Sequence, residues 1–246
     1  MSKIHGVPSI KPLPFKLDES LEIPKWRAAT FWTKEPETIA WINRYLATNT
    51  KVNTFVDVGA NIGIYSLYAT SLNTEVKIFA IEPIEGTFNE LLKNIQLNNC
   101  SQQIVPVCAA LSLTSGGGRM IGNDGRIGSS GAQLTIEPSS AGVPVRTITG
   151  DQILGELFDP LAIIKIDTDG NEYDVLCGLQ KSFEKYLIES VLVETTSVNV
   201  AQIDEFLKSH NFSEDISYLD LAGHSNHRRI SSGNRERTKI YSRARF

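Results

Sequence analysis

The chain has 246 residues, of which 41% are hydrophobic, 21% charged and 8% aromatic, with 18 Gly and 10 Pro. These ordinary proportions exclude a disordered, collagenous or fibrous chain and leave enough apolar residues for a buried core. The net charge of −4 is unevenly spread, with seven basic residues against one acid (Glu236) from residue 228 to 246 and an acidic remainder, which argues against a general nucleic-acid binder.

Pro8, Pro12, Pro14 and Pro24 punctuate residues 1–25, which therefore read as an extended arm. Trp26, Phe31 and Trp32 form an aromatic cluster. Pro36 then opens a helix that carries Ile39, Ile42 and Leu46. Residues 1–50 read as an arm and helical cover, and 51–246 as one α/β domain. Strands are predicted at 54–58, 76–81 and 103–111, with a helix over 64–72 between the first two. Thr87 and Glu90 match a capping box, followed by Phe88, Leu91, Leu92 and Ile95 on one helical face. The Gly- and Ser-rich span 112–142 reads as a mobile insertion or lid. A connecting strand at 143–147 leads to a fourth core strand at 162–167. A helix with Leu176, Leu179 and Phe183 follows, then a fifth strand at 190–194. Ile203, Phe206 and Leu207 mark a helix, and 239–241 a closing strand. This alternation predicts a mostly parallel Rossmann-like sheet with helices on both faces. Such sheets bind ligands beyond the carboxyl ends of their strands, where Asp57, Glu82, Asp167 and Glu194 stand.

Between the first strand and helix lies Asp57-Val58-Gly59-Ala60-Asn61-Ile62-Gly63. Its glycines are spaced G-x-x-x-G, not G-x-G-x-x-G, and an acid precedes them. A pyrophosphate wants a helix N-terminus without a carboxylate beside it. An acid there suits a ligand with an ammonium or sulfonium centre. Glu82, which ends the second strand, can accept both hydroxyls of a ribose. The pair fits a nucleoside with a cationic amino-acid tail, S-adenosylmethionine. Taken singly, each residue also reads as a packing glycine, a helix cap or a solvated strand-end acid.

The runs FVDVGANIGIYSLYA, FAIEPIEGTFNELLKNIQLN and IIKIDTDGNEYDVLCGL, in this order between about residues 35 and 195, resemble the FkbM family of S-adenosylmethionine-dependent methyltransferases. The resemblance implies a class I methyltransferase fold and O-methylation of hydroxyls on natural products or glycans. It implies cofactor contacts at Asp57, Gly59, Ala60, Asn61 and Gly63, a ribose contact at Glu82 beside Pro83, and an active-edge position at Asp167. Tyr65 is a candidate to stack on adenine or wall the pocket, and Ala110 to meet adenine through its backbone. The family often has V-E-G after K-I-D; here the residues are Thr168-Asp169-Gly170, an acid one carbon shorter.

Asp167, Asp169, Glu172 and Asp174 crowd together. They read as a general base and acceptor-positioning set, as a hard-metal site, or as acids at a helix N-terminus; a divalent metal is left open. Asp167 at the strand end is the candidate general base. Glu194 and His224 are candidates for the acceptor side, with His227 nearby. Trp32 and Glu35 are candidates for the cover, and Phe88 for the core. The expected partner is a small-molecule or carbohydrate acceptor, with no nucleic acid and no membrane span; a homodimer is left open. The competing classes are an NAD-dependent oxidoreductase, a metal-using glycosyltransferase and a non-catalytic module binding an anion through residues 228–246. Cys100, Cys108 and Cys177 suit neither a disulfide framework nor a metal clip. No apolar stretch resembling a secretory leader is visible at residues 1–8, so the expected compartment is the cytoplasm.

Overall fold

The computed structural model describes residues 11–47, 51–137, 141–157, 160–185, 187–218, 230–231, 234–235 and 237–244. In chain order it contains α1 (Glu22–Lys34), α2 (Pro36–Ile42), β1 (Thr54–Val58), α3 (Ile64–Leu72), β2 (Lys77–Ile81), α4 (Glu85–Leu97), β3 (Ile104–Val107), β4 (Ala110–Leu111), β5 (Gly116–Ile121), β6 (Gln133–Thr135) and β7 (Val143–Ile148). Then come α5 (Gly150–Leu154), β8 (Ala162–Ile166), α6 (Glu172–Cys177), α7 (Gln180–Glu184), β9 (Ile188–Thr195), α8 (Val200–Ser209), β10 (Phe212–Glu214), β11 (Ile230–Ser231), β12 (Asn234–Arg235) and β13 (Arg237–Arg243).

Seven strands form the main sheet, in the order β10-β13-β9-β8-β1-β2-β3. The pairs from β9 through β3 are parallel, and β13 runs antiparallel to both β9 and β10. β1 and β8 are buried along their whole length, as central parallel strands covered on both faces must be. Side chains alternate between two cores, following the two-residue period of a strand. Phe55, Ile78 and Ile163 join Phe31, Trp41, Leu67 and Leu91 on one face. Val56, Val58, Ile81 and Ile166 join Leu179, Phe183, Ile203 and Leu207 on the other. Each fully buried Leu or Ile stabilises by roughly 1.5–3 kcal/mol, so the two cores fix the strand tips rigidly.

Three expectations need correction. Helix α1 begins at Glu22, so the arm is shorter than residues 1–25; Pro24 sits in the first turn, where a missing N–H costs nothing. Helix α4 begins at Glu85, ahead of the presumed capping box, with Ile84 as N-cap and no side-chain cap. Thr87 Oγ1 instead accepts the Gly128 N–H at 3.2 Å, and Glu90 pairs with Lys93 at 3.0 Å. The expected third strand divides, since β3 stays in the main sheet and β4 pairs with β7 in a second one. The span 112–142 contains β5 and β6, which with β4 and β7 form a four-stranded sheet of order β4-β7-β5-β6.

Candidate active site

The turn after β1 is pressed against its neighbours. The N–H groups of Gly59 and Ala60 both donate to Ile81 O, at 3.0 and 2.9 Å, tying the turn to the end of β2. Gly59 has φ +77°, and a Cβ there would lie 1.9 Å from the carbonyl oxygen of Asp167. No L side chain fits that gap, so a glycine is required where β1 and β8 end side by side. Gly63, with φ +89°, caps α3; its Cβ would meet Leu91 Cδ1 at 2.5 Å.

Across the tips of β1, β2, β8 and β9 opens a cleft of about 350 Å³, within the range of small-molecule sites. Of the residues picked from the sequence, Gly59, Ala60, Asn61, Tyr65, Glu82, Pro83, Ala110, Asp167, Asp169 and Glu194 line it. Asp57 and Gly63 do not; they lie behind its wall and shape it. His224 lies outside the described residues, as do His227 and much of the basic strip.

Glu82 is 5% exposed and faces the glycine turn. Its Oε2 accepts the Asn61 N–H at 3.1 Å and its Oε1 the Ile84 N–H at 2.9 Å. A carboxylate has about four acceptor positions, so each oxygen retains one for a ligand. Burial pushes this carboxyl up to about 7, against the two N–H groups and the Arg27 charge.

A charge ladder crosses the centre of the cleft. Lys165, 2% exposed, places Nζ 2.8 Å from Asp167 Oδ2 and 4.0 Å from Asp57 Oδ1. It also lies 5.2 Å from the centre of the Tyr65 ring. Asp57 Oδ2 accepts the Ser66 hydroxyl at 2.7 Å. Burial raises the Asp57 carboxyl above its ordinary value, only partly offset by Lys165. At Asp167 burial pushes upward too, but the Lys165 charge wins and holds that carboxyl well below the usual range. The ion pair with Lys165 therefore favours the charged form of Asp167. Tyr65 donates its hydroxyl to Glu35 Oε2 at 2.7 Å, and Lys34 pairs with the other Glu35 oxygen.

Of the other acids of the Asp167 cluster, Asp169 lines the cleft and Glu172 turns into its own loop. Glu172 Oε1 accepts the Gly170 N–H at 2.8 Å and the Thr168 N–H at 3.2 Å, and Oε2 accepts Asn199 Nδ2 at 2.8 Å. It serves as a structural clamp on its own loop. Asp169 Oδ2 accepts the Gly131 N–H at 2.8 Å. Among the described residues, no three His, Cys, Asp or Glu converge as they would around a metal ion.

Two segments wall the cleft from above. Asn61 Nδ2 donates to Ser129 O at 2.8 Å, and Arg27 Nε donates to Gly128 O at 2.9 Å. The 112–142 segment is thereby tied both to the glycine turn and to α1. Sequence reasoning missed Arg27, Lys34, Glu37, Lys165 and Arg237, all of which line the cleft. Only Lys165 left a clear signal: a lysine inside Ile163-Ile164-Lys165-Ile166 must be buried, and a buried lysine needs a carboxylate.

A β3-β2-β1-β8-β9-β13-β10 sheet with an antiparallel β13, a glycine turn after β1 and an acid ending β2 defines the class I methyltransferase architecture. The family model described as "Methyltransferase FkbM domain" matches residues 57–214. "Hexuronic acid methyltransferase AglP" of Haloferax volcanii is 28% identical over 167 residues, a stretch that covers 67% of this chain and 65% of that protein. "Methyltransferase 1" of Beauveria bassiana is 28% identical over 189 residues, 68% of this chain and 75% of that protein. Among solved structures, a precorrin-6y C5,15-methyltransferase from Geobacter metallireducens GS-15 superposes with a TM-score of 0.48 at 13% identity, covering 93% of this chain and 95% of that one. The chain belongs to the FkbM methyltransferase family.

The residues fit S-adenosylmethionine. Glu82 presents free acceptor positions for a diol, the anionic Asp167 suits an ammonium group, and Pro83, Ala110 and Leu111 offer an apolar wall. No helix among the described residues is long and apolar enough to cross a membrane.

Proposed function

We propose that this chain is an S-adenosylmethionine-dependent O-methyltransferase whose acceptor is a hydroxyl of an acidic sugar. The observation that carries the reading is Glu82, a buried carboxylate held by two backbone N–H groups beside the glycine turn, with an acceptor position left on each oxygen. The bound cofactor would supply a methyl group already activated by its sulfonium. The protein's part is alignment, which is chiefly a proximity effect. In this reading Glu82 holds the ribose diol and Asp167 receives the ammonium. Lys165 keeps Asp167 charged, and Asp57 in turn helps to neutralise Lys165.

The acceptor end is the opposite end of the cleft, formed by Leu192, Glu194, Arg237 and Thr238 with Lys34 and Glu37. Arg237 gives this end an exposed guanidinium, a group whose planar fork matches a carboxylate. That chemistry, and a relative named for hexuronic acid methylation, support an acidic sugar over a neutral one. Radiolabelled methyl transfer to methyl glucuronide and methyl glucoside tests this. The uronide is expected to be methylated faster, and Arg237→Gln to raise its KM about tenfold or more while leaving the glucoside unaffected. Equal use of both sugars, or an equal effect of the variant on both, would contradict it.

A further inference from the structure

The carboxylates of the cleft are nearly all engaged. Glu82 takes two backbone N–H groups, Glu35 takes Lys34 and Tyr65, Asp169 takes Gly131 N–H, and Asp167 takes Lys165. Glu194 is hydrogen-bonded to Asp167. Glu37 differs. It is 3% exposed, it lines the cleft, and its Oε2 is buried with no hydrogen-bond partner. Leaving a charged oxygen unsatisfied in the interior is costly. An ordinary first-turn acid would lie in solvent, and this one does not.

The backbone that carries Glu37 is rigid. Pro36 opens α2, and Trp41, one turn beyond Glu37 on the same helical face, is wholly buried. The Trp41 indole donates to Ser190 Oγ at 2.9 Å, and the Ser190 hydroxyl donates to Tyr241 O at 2.7 Å. α2 is thus pinned to β9 and β13, the strands that form the acceptor end. Thr238 of β13 adjoins the Glu37 side chain, and Oε2 is the buried oxygen without a partner.

We propose that Glu37 is the catalytic base of the acceptor end, receiving the hydroxyl proton on Oε2. The proposal rests on the hydroxyl-methylation reading above. As the acceptor oxygen forms its bond to the methyl carbon, the carbon–sulfur bond breaks, its electron pair stays on sulfur, and the hydroxyl proton passes to Oε2. Asp167, locked in its ion pair, is the weaker base. Burial raises the Glu37 carboxyl above its ordinary value, toward the neutral range where a general base works best. The charged and titratable groups around it are Lys34 and Glu35 ahead of α2, Glu194 on β9, Arg237 and Lys239 on β13, and Glu214, Asp215 and Tyr218 after α8.

Two measurements on the full chain test this separately from the acceptor assignment. In protein labelled with ¹³C at glutamate carboxyls and saturated with S-adenosylhomocysteine, the resonance missing in Glu37→Gln identifies Glu37. It is expected to titrate above the ordinary glutamate range; titration at or below that range overturns the proposal, whatever the acceptor. With methyl glucuronide as acceptor, Glu37→Gln is expected to lower kcat about 100-fold or more, to lose the acid limb of the pH profile, and to keep wild-type S-adenosylmethionine affinity with a thermal midpoint no lower than that of wild type. Unchanged kcat, or an equal loss of cofactor affinity, overturns it. If wild type methylates neither sugar, the acidic-sugar reading fails, and titration of Glu37 at or below the ordinary glutamate range still overturns the proposal.

Discussion

Glu82 and Lys165 show how two buried charges of opposite sign take opposite roles. Lys165 has two carboxylates within 4.0 Å and stays protonated despite burial. Glu82 has no lysine partner and rises to about 7 from an ordinary 4.5. The sign follows from linkage. Between those values the unfolded chain is ionised while the folded one holds its proton. Glu82 therefore costs stability as pH climbs through that window, roughly 3 kcal/mol once it is crossed. A ribose diol needs the ionised form as acceptor, so ligand affinity should rise over the same window. Titration calorimetry with S-adenosylhomocysteine should find binding about fivefold weaker at pH 6 than at pH 7, and Glu82→Gln should weaken binding and flatten that dependence. The same pH dependence in the variant would show that Glu82 does not hold the ligand.

At the scale of elements, the two glycines of the turn look alike in sequence but differ in what surrounds them. A Cβ at Gly59 meets backbone, the Asp167 carbonyl at 1.9 Å, whereas one at Gly63 meets the movable end of Leu91 at 2.5 Å. Both have positive φ, so both substitutions strain the backbone by about 1 kcal/mol or more. Only the first must also part β1 from β8. Urea denaturation should find Gly63→Ala folded with a lowered midpoint, and Gly59→Ala far less stable or unfolded. Comparable midpoints would mean that the strand tips give way more easily than their packing implies.

The same scale explains what was legible in the sequence. Strands β1, β2, β8 and β9 and helices α3 and α8 could be read directly, because buried parallel strands are continuous apolar runs, α3 follows its glycine turn as an apolar, largely buried run, and α8 keeps a clean apolar stripe. The start of α4 was misread because Thr87 and Glu90 serve tertiary contacts, to Gly128 and Lys93, that no local pattern discloses. The second sheet was missed because β5 opens with Gly116-Gly117-Gly118, a run that reads as loop. Glu82 and Asp167 were legible as strand-end acids. Glu37 and Arg237 were not, since they reach the cleft from α2 and β13, far from any motif.

At the scale of the whole molecule, two cores hold the tips of β1, β2, β8 and β9 in place while α1, α2 and the 112–142 segment close around them. In the proposed reading the cleft has a nucleoside end at Glu82 and an acceptor end at Glu37 and Arg237, with the Lys165–Asp167 pair between them. The most direct test is calorimetric titration of the full chain with S-adenosylmethionine, S-adenosylhomocysteine, NAD and UDP-glucose in parallel. Saturable binding of the first two at one site per chain, weakened in Glu82→Gln, with no heat from NAD or UDP-glucose, is the predicted result. Binding of NAD or UDP-glucose in their stead, or adenosyl binding indifferent to Glu82, would contradict the account.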